Sequence, residues 1–292
     1  MEERDVKKIF QTYGTPHRMF VQAMLTRGII SSSELSKLFE LICKRCDIES
    51  PNNKKYQQEF YQTINNKLSE KANLKLIKVM DEAVRAKTSF LLLVNKTDRS
   101  KDDNKLTIKD QAIFQSHEME YLKLIVDHIM KDPAHEVAAT RALSISNWVS
   151  KNTKKIQTQE AEVILQKFKD HKWLTETKDS GAILLSTRII YEMEPYLQEV
   201  YPDDVGNCAK CKKVVIRGVS CPNEDCDCRY HMYCAVILKK TKDEDGKIIT
   251  ETIKEPCVKC KTPLPDRFET SSRLVMASSR KRRREESGSE SE

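Results

Sequence analysis

A mainly α fold with small β wings is predicted by three features of this 292-residue chain. Apolar residues recur at helical spacing, strand-like runs occur as paired segments, and eight of the ten cysteines crowd between Cys208 and Cys260. Together they predict two successive units of three helices and a two-stranded wing, then a small metal-organised segment and a polar tail. The expected boundaries are 1–96 for the first unit, 97–117 for a linker, 118–203 for the second unit, 204–266 for the cysteine-rich domain and 267–292 for the tail.

The first unit opens at Thr15-Pro16. Thr can cap free N–H groups, and Pro in the first helical turn loses no hydrogen bond. Phe20, Ala23 and Met24 make an apolar stripe, and Gly28 can close the helix in a left-handed conformation. A second helix is expected from Ser33, with Leu35, Leu38, Phe39, Ile42, Cys43 and Cys46 on one face, until Pro51 breaks it. Tyr56, Phe60, Ile64 and Leu68 form a third stripe. Leu74–Met80 and Ser89–Asn95 then read as two strands around a charged turn. Three helices followed by a two-stranded wing is the order of a winged helix.

Thr97–Asp110 is polar and charged and reads as a linker. The order then repeats. Leu122, Ile125 and Ile129 mark a helix that stops near Pro133, and Val137–Val149 can hold a second. Thr158 can cap a third, with Ala161, Ile164, Leu165 and Phe168 at i, i+3, i+4 and i+7. Trp173–Thr177 and Ala182–Leu185 flank the turn Asp179-Ser180-Gly181. A further helix is expected from Thr187 towards Tyr201. Pro195 should kink or split it, or begin a helix of its own.

Composition narrows the functional classes. Charged residues make up 33% and hydrophobic residues 39%, enough for packed cores. The net charge of +7 permits nucleic-acid binding without arguing for it. The N-terminus MEERDVKK lacks the apolar stretch of a secretory signal. The longest run of large apolar residues, Phe90–Val94, is far short of the roughly 20 needed to span a bilayer. A soluble, intracellular protein without a membrane partner is expected. In a reducing compartment clustered cysteines read as metal ligands before disulfides.

The cluster reads Cys208-x2-Cys211-x9-Cys221-x4-Cys226-x4-His231-x2-Cys234-x22-Cys257-x2-Cys260. Eight ligands in C4HC3 order are enough for two closed, tetrahedral zinc sites. The spacings suit a cross-brace, in which ligand pairs alternate between two Zn ions. Site one would then be Cys208, Cys211, His231 and Cys234, and site two Cys221, Cys226, Cys257 and Cys260. Cys228 is surplus: Cys-Asp-Cys offers Cys226 or Cys228 as the ligand, and the x4 gap to His231 favours Cys226. Large aliphatics are few here outside Val214–Ile216 and Ala235–Leu238, so a metal must supply what a core cannot. Cys43-x2-Cys46 has the spacing of a ligand pair but lies on the apolar face of a helix, where cysteine packs as a small hydrophobe. His17, His117, His128, His135 and His171 show no ligand spacing.

The runs EAEVILQKFKDHKWL (160–174) and YEMEPYLQEVYPD (191–203), followed by C-x2-C with VIRGVSC, H-x2-C and EPCVKC, resemble the non-structural maintenance of chromosomes element 1 family. The resemblance covers about Glu160–Asp266. It implies two winged-helix domains followed by a zinc-binding C4HC3 RING-like domain, with the eight ligands above carried over. Two departures are the wider Cys221–Cys226 gap with its extra Cys228 and a longer charged loop, Lys239–Lys254. Further implications are a subunit of the structural-maintenance-of-chromosomes 5–6 complex, a role in DNA repair by homologous recombination, a MAGE-type winged-helix partner, contact with the kleisin subunit, and ubiquitin-ligase activity.

A RING catalyses by positioning, holding a charged ubiquitin-conjugating enzyme with its thioester in a reactive pose. No residue of the domain is therefore expected to do covalent chemistry. Val258 and Pro263 can offer apolar contact to that enzyme, and Lys261 can supply a cation towards ubiquitin. Lys210 stands where many active RINGs carry a large aliphatic, which counts against direct docking. A PHD-type histone reader shares the ligand order but usually has an aromatic where Glu255 stands. A non-catalytic scaffold or a DNA-binding winged helix is the remaining alternative. Lys151, Lys154, Lys155, Lys167, Lys169 and Lys172 would give weak, salt-dependent phosphate contacts, whereas Glu160 and Glu162 repel phosphate.

Ser271–Glu292 is polar and low in aromatics, the composition of a disordered segment. Arg280, Lys281, Arg282, Arg283 and Arg284 form a basic cluster suited to nuclear import, so a nuclear, chromosome-associated protein is expected.

Overall fold

A computed structural model describes residues 3–48, 54–82, 88–95, 113–149, 156–177, 179–242 and 248–264. The expected linker core, Lys151, Lys154 and Lys155, and the tail with Arg280–Arg284 lie outside them. Among the described residues no helix is long and apolar enough to cross a membrane. The chain divides into two compact units. One gathers the described residues of Met1–Ile108 with Lys167–Leu174 and Ser186–Pro195. The other gathers Lys109–Gln166, Thr175–Leu185 and the remainder from Tyr196. The stretch read from sequence as the second repeat is thus shared between them.

The first unit holds α1 (Glu3–Gln11), α2 (Thr15–Arg27), β1 (Ile29–Ser31), α3 (Ser32–Arg45), α4 (Lys54–Lys71), β2 (Leu74–Met80) and β3 (Ser89–Asn95). The two wing strands coincide with the expected ones and pair antiparallel, Leu74 opposite Asn95 and Met80 opposite Ser89. Strand β1 adds to them in the order β1-β3-β2. Leu76 lies on the edge strand, where the Asn65 side-chain amide satisfies it. Oδ1 accepts from Leu76 N–H at 2.7 Å, and Nδ2 donates to its carbonyl at 3.1 Å.

Two helix starts differ from expectation. Gly14, not Thr15, is the cap position of α2, and its N–H donates to His17 Nδ1 at 3.1 Å. Helix α3 is capped by Ser31 rather than opened at Ser33. Ser31 Oγ accepts from Glu34 N–H, and Glu34 reaches back to the Ser31 N–H at 3.1 Å, a capping box worth about 1 kcal/mol. Helix α1 had no counterpart in the expectation. It contributes Phe10, wholly buried against Phe39 and Phe60 at 5.6 Å between ring centroids. The third stripe is buried as read: Tyr56, Phe60, Ile64 and Leu68 all lie in the core. Cys43 is buried there too, and Cys46 packs against the cluster with its Sγ 3.9 Å from Met19 Sδ.

Gly28 closes α2 with φ 71°, its N–H bonding Met24 O at 2.8 Å. A Cβ at Gly28 would meet the Arg188 guanidinium at 2.6–2.9 Å. Arg188 is 5% exposed and fixed by Glu192 at 2.8 Å, by the His171 carbonyl at 2.8 Å and by the Trp173 ring at 5.0 Å.

The second stretch carries α5 (Ser116–Lys131), α6 (Ala139–Ile145), a 3-10 turn (Ser146–Trp148), α7 (Thr158–Asp170), β4 (Leu174–Glu176), β5 (Ile183–Leu185), α8 (Thr187–Glu192) and α9 (Glu194–Val200). Helix α5 begins two residues inside the expected linker, where Gln115 and Glu118 form its N-terminal cap with Gln115 N–H donating to Glu118 at 2.7 Å. The second helix is shorter than the Val137–Val149 reading. Val137 instead forms an isolated antiparallel bridge with Ile183 of β5, exchanging backbone bonds at 3.0 and 2.8 Å. Pro195 splits the last helix. Chain α8 stops at Glu192 and α9 restarts at Glu194, with Pro195 in its first turn, where its missing N–H costs nothing.

The cysteine-rich segment is built from β6 (Gly206–Asn207), β7 (Val214–Val215), β8 (Gly218–Ser220), β9 (Arg229–His231), β10 (Val236–Lys242) and β11 (Ile248–Lys254). These pair as β6–β7, β8–β9 and β10–β11. Within the charged stretch 239–254, expected as a loop, residues 239–242 and 248–254 are paired antiparallel strand, Lys239 opposite Glu251 and Lys242 opposite Ile248. Strand β11 reads Ile-Ile-Thr-Glu-Thr-Ile-Lys, a β-branched composition that favours extended backbone.

Candidate metal centre

Two short turns of the same design set half of the site. In Cys208-Ala209-Lys210-Cys211-Lys212, the Lys212 N–H bonds the Cys208 carbonyl at 2.8 Å and Lys212 takes φ 61°. In Cys257-Val258-Lys259-Cys260-Lys261, the Lys261 N–H bonds the Cys257 carbonyl at 2.9 Å and Lys261 takes φ 62°. Each turn brings both sulfurs to one side of a tight loop. The strand pair β10–β11 closes the long gap between Cys234 and Cys257, with Val236 opposite Lys254 and Glu255 N–H bonding Ala235 O at 3.2 Å.

The result is two groups of four. Cys208, Cys211, His231 and Cys234 form one, and Cys221, Cys226, Cys257 and Cys260 the other. Within each, the ligand atoms all lie within 4.8 Å of one another. Cys211 Sγ is 3.3 Å from His231 Nδ1, Cys221 Sγ is 3.4 Å from Cys260 Sγ, and Cys226 Sγ is 3.7 Å from Cys257 Sγ. A zinc tetrahedron with Zn–S of about 2.3 Å and Zn–N of about 2.0–2.1 Å has edges of about 3.5–3.8 Å, so the donors match the ion in type, number and spacing. Each group can hold one zinc ion. The pairs alternate between groups along the chain, and Cys226 rather than Cys228 stands in the second. Cys228 contributes its carbonyl to the Cys221 N–H at 2.8 Å and packs at the margin of the cluster.

The surroundings prepare the ligands. His231 Nε2 lies 2.8 Å from the Val214 carbonyl, which puts the proton on Nε2 and turns Nδ1, 3.3 Å from Cys211 Sγ, towards the first group. Cys234 hydrogen-bonds Cys208 and holds the Cys208 thiol far down, while the same contact pushes Cys234 up. Burial acts to raise Cys257, but the N–H of Cys260, the Tyr230 hydroxyl and the N–H of Lys259 outweigh it and bring the thiol down to about 5. Thr262, 3.2 Å from Cys260 Sγ, lowers Cys260 in the same way. Sulfurs this close cannot all be thiolates without a cation, and a zinc ion supplies that charge. The surrounding cluster is small: Val215, Val219, Tyr230, Ala235 and Leu264, with buried cysteines making up the rest.

The docking candidates lie on the rim of the second group. Val258 is 47% exposed, Pro263 is exposed, and Lys261 Nζ donates to the Val258 carbonyl at 3.3 Å. Lys210 is not free: it forms an ion pair with Glu255, tying the first turn to the strand end before the second. The two stand 45 residues apart, and no spacing rule marks them as a pair. The roles of the Tyr230 hydroxyl and the Val214 carbonyl likewise depend on which sulfur or ring nitrogen the fold brings near. No residue-type signal marks either.

Residues 17–193 match the family model described as "Nse1 non-SMC component of SMC5-6 complex". The chain belongs to this family. Residues 208–246 match a model described as a RING-like domain, so the two ligand groups of this Nse1-family chain fall in and just beyond it. A non-structural maintenance of chromosomes element 1 homolog of Rattus norvegicus is 31% identical over 219 residues, covering 75% of this chain and 76% of the relative. The Homo sapiens homolog is 30% identical over the same length, again 75% and 76%. The Bos taurus homolog is 28% identical over 228 residues, 78% and 79%. A solved chain from an "Nse1-Nse3-Nse4 complex" shares the fold, with TM-score 0.64 at 22% identity over 88% of this chain and 99% of that one.

Proposed function

We propose that this chain is a subunit of an SMC5–6-type complex in which the zinc domain acts as a RING-type ubiquitin ligase. The interleaved pair of four-ligand groups is the observation that carries the reading. Cys208, Cys211, His231 and Cys234 bind one zinc, and Cys221, Cys226, Cys257 and Cys260 the other. The two ions hold the turns on which Val258, Lys261 and Pro263 are exposed. These residues do no covalent chemistry. They dock a ubiquitin-conjugating enzyme and orient its thioester, so catalysis is by positioning.

The two helical stretches act as winged helices that dock a MAGE-type subunit and a kleisin. The recurrence of helices followed by a two-stranded wing supports this, as does the solved relative taken from an assembly with Nse3 and Nse4. The exposed residues of α7 include Gln159, Glu162, Val163 and Gln166. That composition suits a protein partner better than phosphate, which leaves DNA contact weak and non-specific. A nuclear, chromosome-associated role in DNA repair by homologous recombination, with import through Arg280–Arg284, completes the reading.

The Lys210–Glu255 ion pair favours a second reading, a zinc scaffold without ligase activity, because charge occupies the place of an apolar docking residue. A ubiquitination assay on the full chain with its MAGE-type and kleisin partners separates the two. Ligase function predicts chain formation that is lost in Cys257→Ala and rises in Lys210→Ile. No activity with partners present supports the scaffold, and activity that survives Cys257→Ala and chelation refutes a RING mechanism.

A further inference from the structure

Strand β9 stands between the two ligand groups, and successive strand residues point to opposite faces. His231 turns to the first group as a ligand. Its neighbour Tyr230, 2% exposed, turns to the second. The Tyr230 hydroxyl donates to Cys257 Sγ at 3.2 Å and accepts from the Val258 N–H at 2.9 Å. Both polar functions of the phenol are used on one turn, the one that carries two ligands of the second group.

The strand itself is held from two sides. Gly218 sits opposite His231 in β8, where a Cβ would come within 2.4 Å of the Tyr230 carbonyl and 2.7 Å of Val215. Arg229 donates to the carbonyls of Asp203 and Asp204, at 2.5 and 2.8 Å. A fixed backbone aims a fixed phenol at a ligand sulfur. The same bond spreads the sulfur's charge and braces the turn behind it.

We infer that Tyr230 is a positioning residue for the second zinc ion, its hydroxyl orienting Cys257 as the Val214 carbonyl orients His231 in the first group. The inference rests on the zinc reading of the two groups. Outer-shell partners of this kind change metal affinity by about 10–100-fold.

Tyr230→Phe removes the hydroxyl and keeps the buried ring. Zinc release from the full-length protein to excess chromogenic chelator, followed in time, reads both sites. Cobalt substitution assigns them, because an all-sulfur site and a three-sulfur, one-nitrogen site differ in their visible d–d bands. The variant should bind two ions, release the one from the all-sulfur site about 10–100-fold faster than wild type, and release the other at the wild-type rate. Equal acceleration at both sites would make the hydroxyl a general stability element and overturn the inference. No acceleration at either would overturn it as well. Fewer than two ions in the wild type would remove the zinc reading itself, a separate failure.

Discussion

The first helical unit and the cysteine-rich segment solve the same problem by opposite means. The helical unit surrounds Phe60 with Phe10, Phe20, Phe39 and Tyr61 at 5.3–5.8 Å, and stacks His17 on its face at 4.4 Å. Its stability comes from apolar area withdrawn from water. The zinc segment replaces large aliphatics with sulfur: half of its buried cluster is Cys208, Cys221, Cys226, Cys234 and Cys257, packed with Tyr230, Val215, Val219, Ala235 and Leu264. Such a cluster binds a metal strongly and buries little hydrocarbon. One region therefore carries its folding energy in the chain, and the other draws it from an ion.

The largest effect that tests this contrast is metal removal. Chelation of both ions, or Cys257→Ala for the second, should unfold residues 206–264 while the helical unit keeps its cooperative melt. Limited proteolysis with mass analysis of the fragments reads both regions at once. The converse is Phe60→Ala, which should cost the helical unit about 3–5 kcal/mol and leave the zinc count at wild type. Denaturant unfolding followed by far-UV dichroism measures it. If either change spread to the other region, the contrast between them would be drawn too sharply.

Smaller effects sharpen the helical side. Gly28→Ala forces a side chain onto φ 71° and into the caged Arg188 guanidinium, at a cost of about 2 kcal/mol. Thermal unfolding should show this as a lowered midpoint. The smallest effect is acid sensitivity at His17. Burial, partly offset by the bond between Nε2 and the Phe10 carbonyl at 3.1 Å, holds this imidazole below its ordinary 6.5. The folded state thus prefers the neutral ring, whose Nδ1 accepts from the Gly14 N–H. Stability is full above 6.5 and falls as pH drops from there towards the folded-state value, because the unfolded chain takes the proton first. Denaturant midpoints measured across that window should fall in wild type and stay flatter in His17→Gln.

Legibility in the sequence followed the range of the interaction. The stripe Tyr56–Leu68, both wing strands and the alternating ligand spacing depend on neighbours a few residues away, and all were readable. The x4 gap to His231 also favoured Cys226 over Cys228, and the fold agrees, with Cys226 in the second group and Cys228 at its margin. Helix α1 was missed because its core contribution rests chiefly on Phe10, whose value depends on packing against Phe39 and Phe60. The stretch 239–254 was misread as a loop because its charges masked β-branched positions. No spacing in the sequence marks the Arg188 cage. It needs Gly28, His171 and Trp173 brought together by the fold.

The central claim is that two ions, each held by its own alternating set of four, organise the C-terminal domain. Native mass spectrometry of the purified full-length protein tests it most directly. The expected count is two zinc ions for wild type, two for Cys228→Ala and at most one for Cys226→Ala. Two ions in Cys226→Ala together with a loss in Cys228→Ala would contradict the ligand assignment, and a wild type with one ion or none would contradict the claim as a whole.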